Sequence, residues 1–417
     1  MADDTPLPDA KPPFLRRVRI RGYKSLADCD VTLEPLTVLV GRNGSGKSNF
    51  LDALAFTRDV IDLGVAKAIR ERRGWKAIRP SAEPDGSIRV EFEFDLQYAR
   101  GPWLGVYSYE ISTQAGMSIG VRSERLVMRH CESDWSFGFD RTDDAVRWNG
   151  ADRFAAEYGH KIELYRPLTT DYPLLSRIGV EPFHVLAEHL VGSNIFNFSP
   201  AEMRRLQPGG NNEGLVANGA NFASALAQIL YFDPMAADRV TRYLGAVVPG
   251  IVALRPQVLD SVNNEETVRF FMNDGREFTA SAMSDGTLRS LGCLLAVHQC
   301  HYYPGREVGF AGIEEPETAL HPAAVNVLVD ALDEATLWTQ VLLTTHSPEL
   351  LDNPTIRPSS VRVVEMIDGR TVIGPVDAAG LEVVRLNLNT LGGLEREGGL
   401  VPDLDAAARP TTGLAPA

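Results

Sequence analysis

The chain is poor in cysteine, in positive charge and in long apolar runs, and each shortage closes a class of function. Four cysteines, Cys29, Cys131, Cys293 and Cys300, are scattered over 417 residues. None forms a Cys-x-x-Cys pair, and none stands at zinc-finger spacing from a histidine. A disulfide scaffold and a zinc module are excluded, and the thiols read as free in a reducing, cytoplasmic compartment. There are 41 Lys and Arg against 55 Asp and Glu, a net charge of −14. Such a balance excludes a surface coated all over in nucleic acid and leaves room for one local basic patch. No window approaches the roughly 18 uninterrupted apolar residues that mark a membrane span, so no membrane partner is expected. The opening "MADDTPLPDAKPP" is acidic and proline-rich, without the basic and apolar regions of a signal peptide. No internal repeat and no sustained heptad pattern is present.

What remains is an alternation of strand and helix patterns. "LTVLVG" is apolar almost throughout, the pattern of a strand buried on both faces of a parallel sheet. "SNFLDALAFTRDVI" follows with helical spacing. "IRVEFEFDL" alternates apolar with acidic residues, as a half-buried antiparallel strand does, and a β-rich lobe is predicted over roughly residues 85–145. From about Tyr165 to Pro256 the pattern turns irregular and helical. "VGFAGI", "PAAVNVLVDALDEA" and "QVLLTT" then read as strand, helix and strand. Hairpins turn at Asp274-Gly275 and Asp368-Gly369. The fold class expected is α/β, a parallel core with an antiparallel sheet added.

Between the first buried strand and its helix stands "GRNGSGKS", Gly41 to Ser48, which fits G-x-x-x-x-G-K-S. The spacing has a mechanism. Backbone N–H groups from Asn43 through Gly44, Ser45, Gly46 and Lys47 to Ser48 can ring a β-phosphate, and the helix N-terminus adds its dipole. Lys47 reaches the β- and γ-phosphates, and the Ser48 hydroxyl can ligate Mg²⁺. Asn49 follows in the first helical turn.

A P-loop nucleotidase also needs an acid for the metal and a base for water. "GIEEPETALHP", Gly312 to Pro322, offers both at the end of a buried strand. Glu314 would hold Mg²⁺ and Glu315 would polarise the attacking water. Glu317 reads either as a solvated loop acid or as a residue at a nucleotide or dimer interface. Pro322 opens the next helix behind His321. "VLLTTHSPELL" delivers His346 to the same sheet edge, where imidazole can bond a γ-phosphate, and Ser347 and Pro348 read as N-cap and N1. In "MSDGTLRSL", Ser284, Asp285, Gly286 and Thr287 open an amphipathic helix, a second anion site or a simple N-cap.

Taken in order, these motifs resemble the ABC-type ATPases of the SMC, RecF and OLD group, and the RecF-like ATPases of bacteria above all. "RIRGYKSL" is similar to the group's opening strand and turn, "MSDGTLRSL" to its signature motif, "GIEEPETALHP" to Walker B and the D-loop, and "LLTTHSPELL" to the switch histidine. The resemblance extends over most of the chain, to "LGGLEREGGL". It implies an ATPase head that dimerises around ATP, with Ser284, Asp285, Gly286 and Thr287 of one copy acting on the other's nucleotide. It also implies nucleotide contacts for Lys24 and Ser25. Gln97 and Gln114 are the candidates for the group's Q-loop glutamine. Divided accordingly, residues 1–12 are a disordered tail and 13–164 a lobe with Walker A and the antiparallel sheet. Residues 165–260 are a helical insertion, 261–400 a lobe with signature, Walker B and switch histidine, and 401–417 a second disordered tail. No heptads lie between Lys47 and Ser284, so no long coiled-coil arm is expected. The OLD-type nuclease carries an acidic TOPRIM domain after the switch histidine. Only 417 − 346 = 71 residues follow His346, with Asp403 and Asp405 as their one Asp-x-Asp pair. The sequence therefore reads as no nuclease by itself.

Two roles fit such an ATPase. One is a DNA-associated clamp in repair or genome defence. It is favoured by "KAIRERRGWKAIR", where Lys67, Arg70, Arg72, Arg73 and Lys76 cluster around Trp75 and end at Arg79. The other is a nucleotide-gated switch on a partner effector protein, without DNA, which suits the acidic balance.

Overall fold

The computed structural model describes residues 14–80, 86–98, 101–113, 118–133, 135–158, 169–210, 214–260, 264–299 and 308–408. The expected tail over 1–12 and the glutamine candidate Gln114 lie outside them.

Strands β1 (Leu15–Tyr23) and β2 (Leu26–Thr32) form an antiparallel pair, and β3 (Leu36–Val40) follows with all five residues buried. The loop Gly41–Gly46 leads into α1 (Lys47–Leu63), and α2 (Val65–Glu71) comes after it. The predicted β-rich lobe is then built from β4 (Ile88–Tyr98), β5 (Gly101–Ser112), β6 (Gly120–His130), β7 (Ser136–Thr142) and β8 (Ala145–Asn149). With β1 and β2 they make one seven-stranded antiparallel sheet in the order β2-β1-β4-β5-β6-β7-β8. Alternation decides its faces. Val90, Phe92 and Phe94 of β4 are buried, while Glu91 and Glu93 meet Arg19 and Arg17 of β1 across the outer face. Opposite charges directly across a strand pair support the register.

Helices α3 (Ala151–Tyr158) and α4 (Phe183–Gly192), strand β9 (Asn194–Phe196), helix α5 (Pro200–Met203), strand β10 (Gln207–Pro208) and helices α6 (Phe222–Phe232) and α7 (Pro234–Val247) occupy the irregular, helical stretch. Strands β11 (Ile251–Asp260), β12 (Glu265–Met272) and β13 (Glu277–Thr279) form an antiparallel ribbon, its pairing running across residue 260. Then come α8 (Asp285–His298), β14 (Phe310–Glu314), α9 (Pro322–Glu334), β15 (Gln340–Thr345), α10 (Pro348–Leu351), β16 (Val361–Ile367) and β17 (Arg370–Pro375). The chain closes with α11 (Ala378–Arg385), α12 (Leu391–Glu397) and α13 (Leu404–Ala408).

The second large sheet runs β17-β16-β3-β15-β14-β9, parallel throughout except for the terminal β17. It lies between two apolar clusters. Leu39 of β3 and Leu342 of β15 point into the cluster shared with the antiparallel sheet, α1 and α4. Val38, Val40, Val341 and Leu343 point to the opposite one, with α6, α7, α8 and α9. Continuous apolar strands are what burial on both faces demands. The three residues of β9 are too short a run to read as a strand from sequence. Residues 401–408 correct the expectation of a tail from 401. Asp377 N–H donates to the Val401 carbonyl and Asp403 N–H to that of Pro375, 3.1 and 2.9 Å, and Asp403 Oδ1 caps α13 at Ala406.

At the end of the chain, α12 is docked on α10. A Cβ on Gly392 would lie 2.1 Å from the Pro348 carbonyl oxygen, so only glycine permits this approach. Gly392 N–H donates to Asp352 Oδ1 at 2.9 Å, and the guanidinium of Arg396 stands 3.6 Å from Glu349.

Candidate functional site

Parallel strands β3, β14 and β15 end at the same sheet edge, and all three motif loops leave from there. Lys47 opens α1 with 6% of its surface exposed. Its ammonium donates to the carbonyls of Gly41 and Arg42 at 2.5 and 3.1 Å, which holds the loop closed around the side chain. Burial lowers the lysine's pKa, and the carboxylates of Glu315, Glu395, Glu317 and Glu314 oppose that.

Ser48 Oγ donates to Glu314 Oε2 at 2.9 Å. The bond joins the phosphate loop to the end of β14 across 266 residues of sequence. Burial pushes the Glu314 carboxyl up, and Ser48 partly offsets it. A serine hydroxyl beside a carboxylate is a hard-oxygen donor pair of the kind Mg²⁺ takes, so the residues present fit that ion. The buried Ser45 Oγ has no partner among the described residues and sits inside the loop that would ring a phosphate.

Glu315 leaves the strand with φ 45°, in the left-handed region that a non-glycine residue seldom occupies. That turn is held by its N–H, which donates to the Thr344 carbonyl at 3.0 Å. Its carboxylate lies 3.4 Å from His346 Nδ1, and both side chains are open to solvent at 38% and 47%. Ser347 and Pro348 are the N-cap and N1 of α10, and His321 and Pro322 those of α9, as expected. Glu317 is no solvated loop acid. It is 8% exposed and accepts from Thr345 Oγ1 at 2.5 Å.

Ser25 Oγ accepts from Asn49 Nδ2 at 2.6 Å and bonds Thr371 Oγ1 at 2.7 Å, while Thr371 Oγ1 donates to the Ser45 carbonyl at 2.9 Å. Ser25 and Asn49 are thus tied to the back of the phosphate loop through β17. Lys24, also at positive φ, pairs with Asp52 of α1 at 2.5 Å.

Ser284 caps α8, accepting from Thr287 N–H at 3.2 Å. Asp285 pairs with Arg204, which also donates to the Met283 carbonyl at 2.9 Å. A Cβ on Gly286 would lie 2.4 Å from the Ala319 carbonyl oxygen, so α8 begins against the loop that follows Glu315.

Residues 132–352 match the family model described as "AAA domain, putative AbiEii toxin, Type IV TA system", more than half of the chain. The chain belongs to this AAA family. Residues 14–95 match a second model, "AAA ATPase domain". The chain is 23% identical over 397 residues to an OLD nuclease of Thermus scotoductus, covering 91% of this chain and 68% of that protein. Among solved structures it is similar to an Smc head bound to the C-winged helix domain of ScpA. There the TM-score is 0.52 at 14% identity, over 89% of this chain and 99% of that one. The fold is that of an SMC-type head, and among the described residues no long coiled coil leaves it. With the motifs, this places the AAA family member among the P-loop ATPases of the SMC, RecF and OLD group, as the sequence implied.

Two expectations are corrected in this AAA ATPase. Arg72 is no DNA contact: only 11% of its side chain is exposed, and its guanidinium pairs with Asp59 and Asp52 at 2.8 and 3.1 Å. It ties the end of α2 back onto α1. Arg79 is buried too, lying over the Trp75 ring, whereas Lys67, Arg70, Arg73 and Lys76 are exposed. Gln97 lines a cleft with Val308, Gly309 and Gln340, where β14 and β15 begin, at the opposite sheet edge from Glu314. Sequence reading missed Thr371, whose β-hairpin pattern carries no sign of a P-loop contact. It also missed Glu395 of α12, which lines a cleft of about 510 Å³ with Gly41–Ser45. Only the tertiary approach of α12 reveals it.

Proposed function

We propose that this AAA ATPase binds Mg-ATP at the edge formed by β3, β14 and β15, hydrolyses it, and closes as a dimer around the nucleotide. In this reading residues 13–164 and 261–400 are the two lobes of one head and 165–260 an insertion between them. The observation that carries it is the Ser48–Glu314 contact with Glu315 and His346 alongside. Backbone N–H groups of Asn43 to Ser48 and the Lys47 ammonium bind the phosphates. Ser48 and Glu314 would hold Mg²⁺, which would supply positive charge against the phosphates. Glu315 orients the attacking water and accepts its proton, and His346 donates to the γ-phosphate. Lys24 and Ser25 border the nucleotide. Ser284, Asp285, Gly286 and Thr287 of a second copy complete the γ-phosphate site, since a helix N-terminus favours an anion. Calorimetry tests the core of this. Mg-ATP is expected to bind with measurable heat, and Lys47→Ala to weaken it about 10- to 100-fold, the loss of a charge-assisted hydrogen bond. No heat with the unaltered chain overturns the reading.

The cycle would serve a DNA-associated clamp acting in the cytoplasm, in repair or genome defence. Lys67, Arg70, Arg73 and Lys76 support it as an exposed basic face. The second reading, a switch holding or releasing an effector protein, gains from the burial of Arg72 and Arg79, which takes two cations from that face. Among the described residues no helix is long and apolar enough to cross a membrane. Gel shifts with and without ATP, at two salt concentrations, separate the readings. Reversing Lys67, Arg70, Arg73 and Lys76 together to Glu is expected to abolish an ATP-dependent, salt-sensitive shift. A shift untouched by the reversal removes those four residues from the interface, and no shift at all favours the effector switch.

A further inference from the structure

Parallel pairing of β14 with β15 stops at Glu314 opposite Thr344. Beyond that point the two segments part, and the groups proposed to react stand on the diverging ends: Glu315 on one, His346 on the other. Both side chains are well exposed, so packing does not fix them. Beneath them lies Glu317, in the buried position described above. Its Oε1 accepts from Thr345 Oγ1, and Thr345 Oγ1 in turn accepts from Ser347 N–H at 2.9 Å. Thr345 precedes His346 and Ser347 follows it, so the chain of bonds starting at Glu317 grips the histidine's backbone from both sides. Glu317 Oε2 is also buried and has no partner among the described residues. A bare carboxylate oxygen out of water is costly. A neutral acceptor would hold Thr345 with less penalty, so the bond to Thr345 alone does not account for a carboxylate here. Burial pushes the Glu317 carboxyl up, and the Thr345 hydroxyl and the nearby His346 act against that rise.

We propose that Glu317 is a positioning residue for ATP hydrolysis: through Thr345 it prolongs the β14–β15 pairing past its last backbone rung and holds His346 against Glu315. The role rests on the nucleotide site proposed above. It acts on the turnover step and leaves nucleotide capture to the phosphate loop.

The test uses the full chain with Glu317→Ala, Thr345→Val, Thr345→Ser and the double variant Glu317→Ala/Thr345→Val. Glu317→Ala and Thr345→Val are each expected to lower kcat about tenfold or more, because misplacing a reacting group by a fraction of an ångström is that costly. Mg-ATP affinity should stay within about twofold, the signature of an interaction used only in the transition state. Thr345→Ser keeps the hydroxyl and should turn over within about twofold of the parent, and the double variant should be no slower than the slower single one. A readout independent of nucleotide is the imidazole NMR signal of His346, one of 8 histidines, assigned by its loss in His346→Asn. It should move in Glu317→Ala and Thr345→Val and stay in place in Thr345→Ser. Thr345→Ser as slow as Thr345→Val, a double variant slowed by the product of the singles, or an unmoved His346 signal would each overturn the proposal. Failure of the nucleotide site shows differently, as a parent chain that neither binds nor turns over Mg-ATP.

Discussion

Glu315→Gln should bind Mg-ATP as well as the parent chain and hydrolyse it about 10²–10⁴-fold more slowly, the usual cost of losing a general base. Glutamine keeps the size and polarity of the side chain and gives up the proton acceptor. It also removes a negative charge beside the incoming γ-phosphate, so affinity has no electrostatic reason to fall. With hydrolysis blocked, the closed dimer proposed above should accumulate, and sedimentation should find ATP-dependent dimers. Phosphate release measured at saturating Mg-ATP is the direct check. An unaltered rate would remove Glu315 from the chemistry and return its left-handed turn to a purely structural account.

Arg72→Glu should act on folding. In the structure Arg72 is shared between Asp52 and Asp59 and lies over the Phe56 ring at 5.2 Å. Burial works against the guanidinium charge, and the carboxylates outweigh it, so its pKa rises. Burial likewise would raise Asp52, and Arg72, Lys24 and Tyr23 together bring it below the ordinary carboxylate range. Removing one partner of a buried pair costs about 3–5 kcal/mol because the other charge stays behind. Glutamate adds a third acid to the site, so the loss should reach at least the upper end of that range. Denaturant unfolding measures it, and Arg73→Glu, at an exposed neighbour, is the control and should shift stability little. Equal stability in the two variants would show that the Asp52–Arg72–Asp59 network contributes nothing to folding.

The contrast between Arg72 and Arg73 shows where sequence reading ends. In the string "ERR" both are one more basic residue, and nothing local says which is pinned under α1. Burial there depends on Asp52 and Asp59, which the helix brings to the same face from 20 and 13 positions away. The phosphate loop was legible for the opposite reason. Its chemistry is contained in eight consecutive residues, and the strand before and helix after carry their own apolar patterns. Glu314, Glu315 and His346 were legible because each ends an apolar run, and such runs end together in a parallel sheet. The antiparallel lobe followed from alternation in β4. Glu317 was readable as an acid and unreadable as a buried one, since its partner Thr345 belongs to another strand. Thr371, Arg204 and Glu395 reach the site only through tertiary contact.

The missing side chain at Gly392 has a mechanical result. Backbone meets backbone where α12 touches Pro348, and Pro348 is two residues beyond His346. A shift of the histidine's loop at the nucleotide edge proposed above would therefore be felt first by α12. Glu395, on that helix and beside the phosphate loop, would follow the same shift.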